Sequence, residues 1–293
     1  MGEEQHGIAP AGFRLTGDVR LGPVRLQVRD LERSLACYRD TLGLRVAAED
    51  DGGARLAPHD DETVLIELRP KPGVKPVPHG GVLGLYHFAI LLPDRAALGR
   101  FIAHLASQGL RAGMADHDVS EALYLVDPDG LGIEVYADRP RRDWRYDGRQ
   151  LYMTTKPLDV RSVVAAAGNQ PWSGMPRGTV IGHVHLHVGD LDEAATFYHS
   201  ALGFDKVVWN YPGALFLSAS GYHHHLGTNT WSSGPPASDD HARLLSWDIV
   251  VGDREQARRA AESLAAAGYA VVDEQDAWRV ADPWGTVVRL RTR

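Results

Sequence analysis

Apolar and polar positions alternate in four short stretches, VRLQVRD, YHFAILLPD, VHLHVGD and WDIVVGD, each closing on an aspartate. A period of two is the mark of a strand with one buried face. Behind these stretches the period lengthens to that of an amphipathic helix. Leu31, Leu35, Tyr38 and Leu42 keep it after the first, and Leu98, Phe101, Ile102 and Leu105 after the second. The four aspartates, Asp30, Asp94, Asp190 and Asp253, stand where a helix N-cap carboxylate accepts from the first free backbone N–H groups. Gly109 and Gly268 stand where a left-handed residue ends a helix. Further runs, TVLIEL, ALYLV, GIEVYA, ALFLSA and VVRLR, predict additional strands. The chain therefore reads as four βαβββ-like modules, near 22–70, 84–137, 180–231 and 244–292.

The modules are copies at a second level. VRDLERSLACYRDTLGL (28–44) aligns without a gap to VGDLDEAATFYHSALGF (188–204), sharing Asp30/Asp190, Tyr38/Tyr198 and Gly43/Gly203 among others. LYLVDPDGLGIEV (123–135) aligns to WRVADPWGTVVRL (278–290) through Asp127/Asp282, Pro128/Pro283 and Gly130/Gly285. Two duplicate domains are expected, 22–137 and 180–292. The linker 138–179 carries Pro, Gly and Arg, with a short helix around 160–167.

Composition narrows the function classes. Hydrophobic residues at 44% and charged residues at 24% of 293 are ordinary globular values and exclude wholesale disorder. A net charge of −7 without any long basic block argues against a nucleic-acid backbone binder. No apolar run reaches the roughly 18 residues of a membrane span. The first residues, MGEEQHGIAPAGF, have neither the cationic nor the apolar region of a secretory signal. Cys37 is the only cysteine, so no intramolecular disulfide forms, and it falls on a buried helix face as inert packing. A cytoplasmic protein is expected, and a homo-oligomer is left open. The compositional oddity is 14 histidines, several of them clustered.

Through GLYHFAILLPD, DPDGLGIEVYADRP, GHVHLHVGDL and GYHHHLGTNTW, the chain resembles the vicinal oxygen chelate superfamily. That superfamily includes glyoxalases, bleomycin-resistance proteins and type I extradiol dioxygenases. The nearest likeness is to the two-domain, catechol-2,3-dioxygenase-like subgroup. The resemblance implies an α+β fold in which modules close pairwise into cupped mixed sheets, with metal ligands projecting from the first and last strands of each module. His87 and His183 hold the first-strand place, each seven residues before its capping aspartate; the other two copies have Pro23 and Ser246 there. Glu134 holds the last-strand place of the second module, where the fourth has Arg289. Two imidazoles and one carboxylate are the donor set of a non-haem Fe(II) oxygenase.

The resemblance further implies a catalytic histidine on the last strand of the third module. His224 aligns best, with His223 and His225 as neighbours of opposite parity. It implies a tyrosine ten residues before the Glu ligand, which Tyr124 fits, and a further histidine, to which His117 comes within two positions. His185 and His187 read as pocket lining or packing. Because His183 and His224 lie in module 3 and His87, Tyr124 and Glu134 in module 2, crossed pairing (2 with 3, 1 with 4) assembles the full set. Sequential pairing would set Arg289 against a cation. In the crossed arrangement Glu67 and Arg289 are expected to form an ion pair in the 1–4 cup.

The activity that the resemblance implies is that of an extradiol ring-cleaving dioxygenase of aromatic catabolism. It would hold Fe(II), or alternatively Mn(II), Ni(II) or Zn(II), and act on a catechol or related diphenol with dioxygen. Two other readings stay open. One is a glyoxalase-like isomerase or lyase using Glu67, His87 and Glu134 in a 1–2 cup. The other is a metal-free small-molecule binding or resistance protein.

Overall fold

The structure, a computed structural model, describes residues 6–78 and 81–292. Each of the four repeats is a βαβββ unit. The first runs β1 (Arg20–Val28), α1 (Leu31–Leu35), β2 (Arg45–Asp50), β3 (Gly53–Ala57) and β4 (Ile66–Pro70). The second runs β5 (Gly84–Leu91), α2 (Arg95–Ser107), β6 (Gly113–Asp116), β7 (Ser120–Val126) and β8 (Gly132–Asp138). The connecting segment holds a small hairpin, β9 (Tyr146–Asp147) and β10 (Gln150–Leu151), and the expected helix, α3 (Val160–Ala166). The third unit is β11 (Val180–His187), α4 (Leu191–Ala194), β12 (Asp205–Val208), β13 (Ala214–Ser218) and β14 (Leu226–Asn229). The fourth is β15 (Arg243–Val251), α5 (Arg254–Ala266), β16 (Val272–Glu274), β17 (Ala277–Ala281) and β18 (Val287–Thr292).

All four aspartates cap their helices. Their carboxylates accept from the backbone N–H of Arg33, Ala97, Glu193 and Gln256 at 2.7–2.9 Å. Gly109 and Gly268 follow α2 and α5 with φ of 69° and 91°, a backbone that a side chain would strain. The first and third helices depart from the expected α period. Each widens into a π turn, over Ala36–Thr41 and Ala195–Ala201. There Leu42 N–H bonds the carbonyl of Cys37, and Leu202 that of Phe197, five residues back.

Pairing of the modules is crossed. One eight-stranded sheet has the order β6-β7-β8-β5-β11-β14-β13-β12, joining modules 2 and 3; the other, β2-β3-β4-β1-β15-β18-β17-β16, joins 1 and 4. Within each module the first and last strands lie parallel, and the two first strands meet antiparallel at the centre. Modules adjacent in sequence are nevertheless tied across the two sheets. Tyr38, fully buried on the π turn of module 1, donates to Asp127 Oδ2 of module 2 at 3.1 Å. Tyr198 of module 3 does the same to Asp282 Oδ2 of module 4 at 2.8 Å. The other oxygen of each aspartate closes its own turn, accepting from the N–H groups of Asp129 and Leu131 in one copy and of Trp284 and Thr286 in the other. Tyr38/Tyr198 and Asp127/Asp282, shared between the halves, are thus among the bonds that fasten one sheet to the other, beside that of the Arg29 N–H to Asp129 Oδ2 at 2.7 Å. Burial pushes both aspartates up, each to about 6.

The 1–4 cup differs from expectation in one contact. Glu67 does not pair with Arg289. It is taken by Arg25 at 3.1 Å and by Arg69 at 2.9 Å. Arg289 turns instead to Glu274, Asp276 and the fully buried Asp248. Arg25 also bonds Asp248, so the cup is filled by a network centred on a residue near Pro23 rather than by a single ion pair. The same placement removes the glyoxalase-like site, because Glu67 lies in the other sheet from His87 and Glu134.

Candidate metal centre and its cavity

The register of the 2–3 sheet builds the site. Tyr124 on β7 lies opposite Glu134 on β8; Glu134 is level with Ala89 on β5, and Ala89 with His183 on β11. Residues level across neighbouring strands share a face, so Tyr124, Glu134 and His183 project together, with the small Ala89 leaving room between them. In the adjoining row His87 is level with His185, His185 with Gly227 and Gly227 with Phe216. Gly227 is required there, since a Cβ would come within 2.9 Å of the His185 ring.

His87, Glu134 and His183 converge. Glu134 Oε2 lies 3.0 Å from His87 Nε2 and 3.1 Å from His183 Nε2, and the two nitrogens are 3.4 Å apart. All three side chains are buried. Among the described residues this is the one group of His, Cys, Asp and Glu side chains close enough to share an ion. The triangle is small enough for a single ion to reach every corner at the usual 2.0–2.2 Å or so. Burial alone would raise the Glu134 carboxyl, but the charge and hydrogen bonds of the two imidazoles outweigh it and hold it well below the usual carboxylate range. Burial also lowers His87, against the pull of Glu134. A divalent cation needs a deprotonated carboxylate among its donors, and Glu134 is held in that form. The set therefore fits a metal by charge, burial and spacing. Among the described residues, the buried His183 Nδ1 has no hydrogen-bond partner.

The three donors form the floor of a cavity of about 180 Å³. Its polar wall carries His117, Tyr124, His185 and His224, and its apolar wall Met153, Tyr211, Phe216 and Trp231. An apolar cavity of about 150 Å³ admits benzene, so the space suits one aromatic ring. A wider groove of about 870 Å³ runs alongside and shares Tyr86, His87 and Tyr124, but neither Glu134 nor His183 lines it.

Each of the other expected site residues reaches this cavity. His117 is held by its turn, with Asp118 in the left-handed region at φ 68°. Its Nδ1 lies 2.7 Å from the Thr154 carbonyl and its Nε2 2.7 Å from the Tyr124 hydroxyl. A carbonyl only accepts, so Nδ1 carries the hydrogen and Nε2 takes that of Tyr124. Burial, then the charge of Glu134, pushes the Tyr124 phenol well above its ordinary value. In the HHH run, His224 is the member lining the cavity, with its ring 4.1 Å from that of His183. The three precede β14 in a loop rather than lying on the strand, so strand parity is not what separates them. His225 turns away to Ser218, and His223 to Asp138.

Several contributors carry no signal in the sequence. The segment that reads as a linker supplies Met153, Thr154 and Thr155 to the cavity wall. Asp138 and Trp231 lie inside the stretches DPDGLGIEVYADRP and GYHHHLGTNTW, but neither stands at a position to which a role was assigned. His185 lines the cavity as expected, and is a buried imidazole whose Nε2 has no hydrogen-bond partner among the described residues. Burial, then the neighbouring His87 and His183, holds it well below the ordinary histidine range.

Known proteins share this architecture. The family model "Glyoxalase/Bleomycin resistance protein/Dioxygenase superfamily" matches residues 20–135 and 180–289, and the chain belongs to that superfamily. A catechol-2,3-dioxygenase from Bacillus subtilis (strain 168) is 44% identical over 271 residues, covering 91% of this chain and 94% of that protein. Within the superfamily the chain is a ring-cleaving dioxygenase of the extradiol type. Two solved structures share the fold at low identity. One, a putative dioxygenase from Bacillus subtilis subsp. subtilis strain 168, has a TM-score of 0.64 at 15% identity, covering 96% of this chain and 86% of its own. The other, glyoxalase I from Zea mays, has a TM-score of 0.57 at 18% identity, covering 94% and 92%. Among the described residues no helix is long and apolar enough to cross a membrane.

Proposed function

We propose that the chain opens the ring of a catechol or related ortho-diphenol beside its two hydroxyls, with Fe(II) held by His87, Glu134 and His183. The observation that carries this reading is the convergence of those three donors on the floor of a ring-sized cavity. Two nitrogens and one carboxylate oxygen on one face are the donor set that would hold the Fe(II) of a non-haem oxygenase. The name of the 44% identical relative supports the choice of a catechol. Iron, when bound, supplies the electron transfer to dioxygen that a spin-paired ring cannot perform alone.

The remaining work falls to the chain's own side chains. His224, on the cavity wall beside His183, takes a proton from a diphenol hydroxyl. Burial, then the nearby His183, keeps its imidazole well below the ordinary histidine range, so it is free to accept. Tyr124, whose hydrogen goes to His117 Nε2, offers its oxygen as acceptor to a substrate hydroxyl. Phe216, Tyr211 and Trp231 flank the ring and exclude water. With Cys37 as its single cysteine, the chain has no use for an oxidising compartment, which supports a cytoplasmic location.

The test is anaerobic reconstitution with Fe(II), followed by oxygen uptake against a panel of catechols. One oxygen consumed per ring opened, lost in His87→Ala, is the expected result. Tight Fe(II) binding without uptake on any diphenol would overturn the reading.

A further inference from the structure

The run of three histidines does more than place one imidazole on the cavity wall. His223 is fully buried and is packed against the rings of Tyr136, Trp144 and Tyr222. Its Nε2 lies 2.8 Å from Asp138 Oδ1, and its Nδ1 lies 2.7 Å from Nδ1 of His224. Asp138 sits at the end of β8, half-buried, and the same oxygen accepts the Tyr222 hydroxyl at 3.2 Å. Tyr222 in turn takes a hydrogen from Tyr136 at 2.7 Å. His224 Nε2 makes no hydrogen bond among the described residues, and its ring lines the cavity.

Direction along this chain follows from donor and acceptor capacity. A carboxylate has no hydrogen to give, so His223 Nε2 must donate to Asp138. A neutral imidazole carries one N–H, which leaves His223 Nδ1 as an acceptor. Two facing ring nitrogens at 2.7 Å share one hydrogen, and it must come from His224 Nδ1. The hydrogen of His224 is then spent at the back of the ring, and its cavity-facing nitrogen is bare.

We propose that Asp138 and His223 are positioning residues that fix His224 as the Nδ1–H tautomer, presenting Nε2 to the cavity as an acceptor. The inference rests on the reading of His224 as the base. Unassisted, an imidazole in this pocket would divide between two tautomers. The form with Nε2–H would aim a donor at the substrate hydroxyl and could not take its proton. The logic is that of a carboxylate orienting a catalytic histidine, with a second imidazole inserted between the two. It also accounts for a buried His223 that touches neither the cavity nor the metal donors through hydrogen bonds.

The tautomer can be read directly. Full-length protein labelled with ¹⁵N at histidine, with and without Zn(II) as a diamagnetic ion, gives two-bond ¹H–¹⁵N spectra that separate protonated from bare ring nitrogens. His224→Gln assigns the signals. The expected result is Nδ1–H with bare Nε2 at His224, and Nε2–H with bare Nδ1 at His223. His223→Phe, which keeps the ring packing but removes the acceptor, should abolish that signature. It should also lower kcat of the Fe(II)-loaded enzyme on catechol by about 10²-fold, the scale of a positioned base, at unchanged KM and metal content. His223→Asn, whose side-chain carbonyl stands in for the accepting nitrogen, should restore both. A wild-type His224 with Nε2–H, or a His223→Phe variant with full turnover and an unchanged signature, overturns the proposal. If the expected tautomers appear but no catechol is turned over, the positioning stands and the functional reading falls. Turnover with the opposite tautomer has the reverse meaning.

Discussion

Replacing Tyr198 by Phe removes one hydroxyl and almost nothing else. The ring is fully buried and its shape is kept, so no cavity opens. What is lost is a 2.8 Å bond to Asp282 Oδ2, the oxygen not already engaged by the N–H groups of Trp284 and Thr286. A hydrogen bond to a charged partner contributes about 1.5–3 kcal/mol, and an orphaned buried acceptor costs about 1–3 kcal/mol. The loss depends on pH. Burial pushes the Asp282 carboxyl up to about 6, while the tyrosine hydroxyl pulls it down. A carboxyl raised in the folded state contributes stability that is complete below its unfolded value, about 3.9, and that is lost as pH rises through the folded one. Without Tyr198 the folded value rises further, so the penalty is larger where the group is ionised. Urea unfolding should show Tyr198→Phe destabilised by about 2–3 kcal/mol at pH 8 and by about 1 kcal/mol at pH 5. Tyr38→Phe should behave alike but more mildly, its bond to Asp127 being longer at 3.1 Å. Metal content should not change in either. A loss under about 0.5 kcal/mol, or one equal at both pH values, would refute the claim that these paired bonds fasten the sheets.

Metal analysis after reconstitution should give one ion per chain, because the 1–4 cup is filled by charged side chains; two equally occupied sites would contradict this. Glu134→Gln should lower metal affinity by far more than the 10–100-fold typical of an outer partner, measured by competition with a chelator. Tyr124→Phe and His224→Ala should keep the metal and lose about 10²–10⁴-fold in turnover; loss of metal equal to that of His87→Ala would reassign either residue. Arg25→Ala should destabilise the fold by about 3 kcal/mol, the low end for breaking a buried pair because Arg291 still reaches Asp248; its readout is the unfolding midpoint, with turnover per folded molecule unchanged.

How much of the molecule is legible in the sequence depends on whether the determinant repeats. The strand–aspartate–helix unit recurs four times, and the DPxG turn recurs with its tyrosine, so the order of elements, the caps and the two-sheet plan are legible. The candidate metal donors are found in the same way, since His87 and His183 stand at one offset in two copies. The π turns are not, because a widened turn preserves the apolar spacing that marks the helix. The part of 138–179 that walls the cavity is not legible either: Met153, Thr154 and Thr155 act through position alone and have no counterpart in another copy.

Arg25 shows why the two cups diverged. It is level with Glu67 on β4, as Ala89 is level with Glu134 on β8. A methyl at that place leaves the space in which Glu134 meets two imidazoles; a guanidinium there fills the space and takes Glu67 for itself. Alignment of the repeats points to Arg289 as the cause of the lost second site, because it stands in the ligand's place, whereas the geometry puts the cause equally at Arg25, near Pro23. Each half of the chain supplies one module to each sheet, with His87 and Glu134 in the first half and His183 and His224 in the second. Neither half alone contains the full candidate donor set, so the tyrosine–aspartate bonds and the crossed sheets act on the same requirement: both copies must be held in register before His87, Glu134 and His183 can meet.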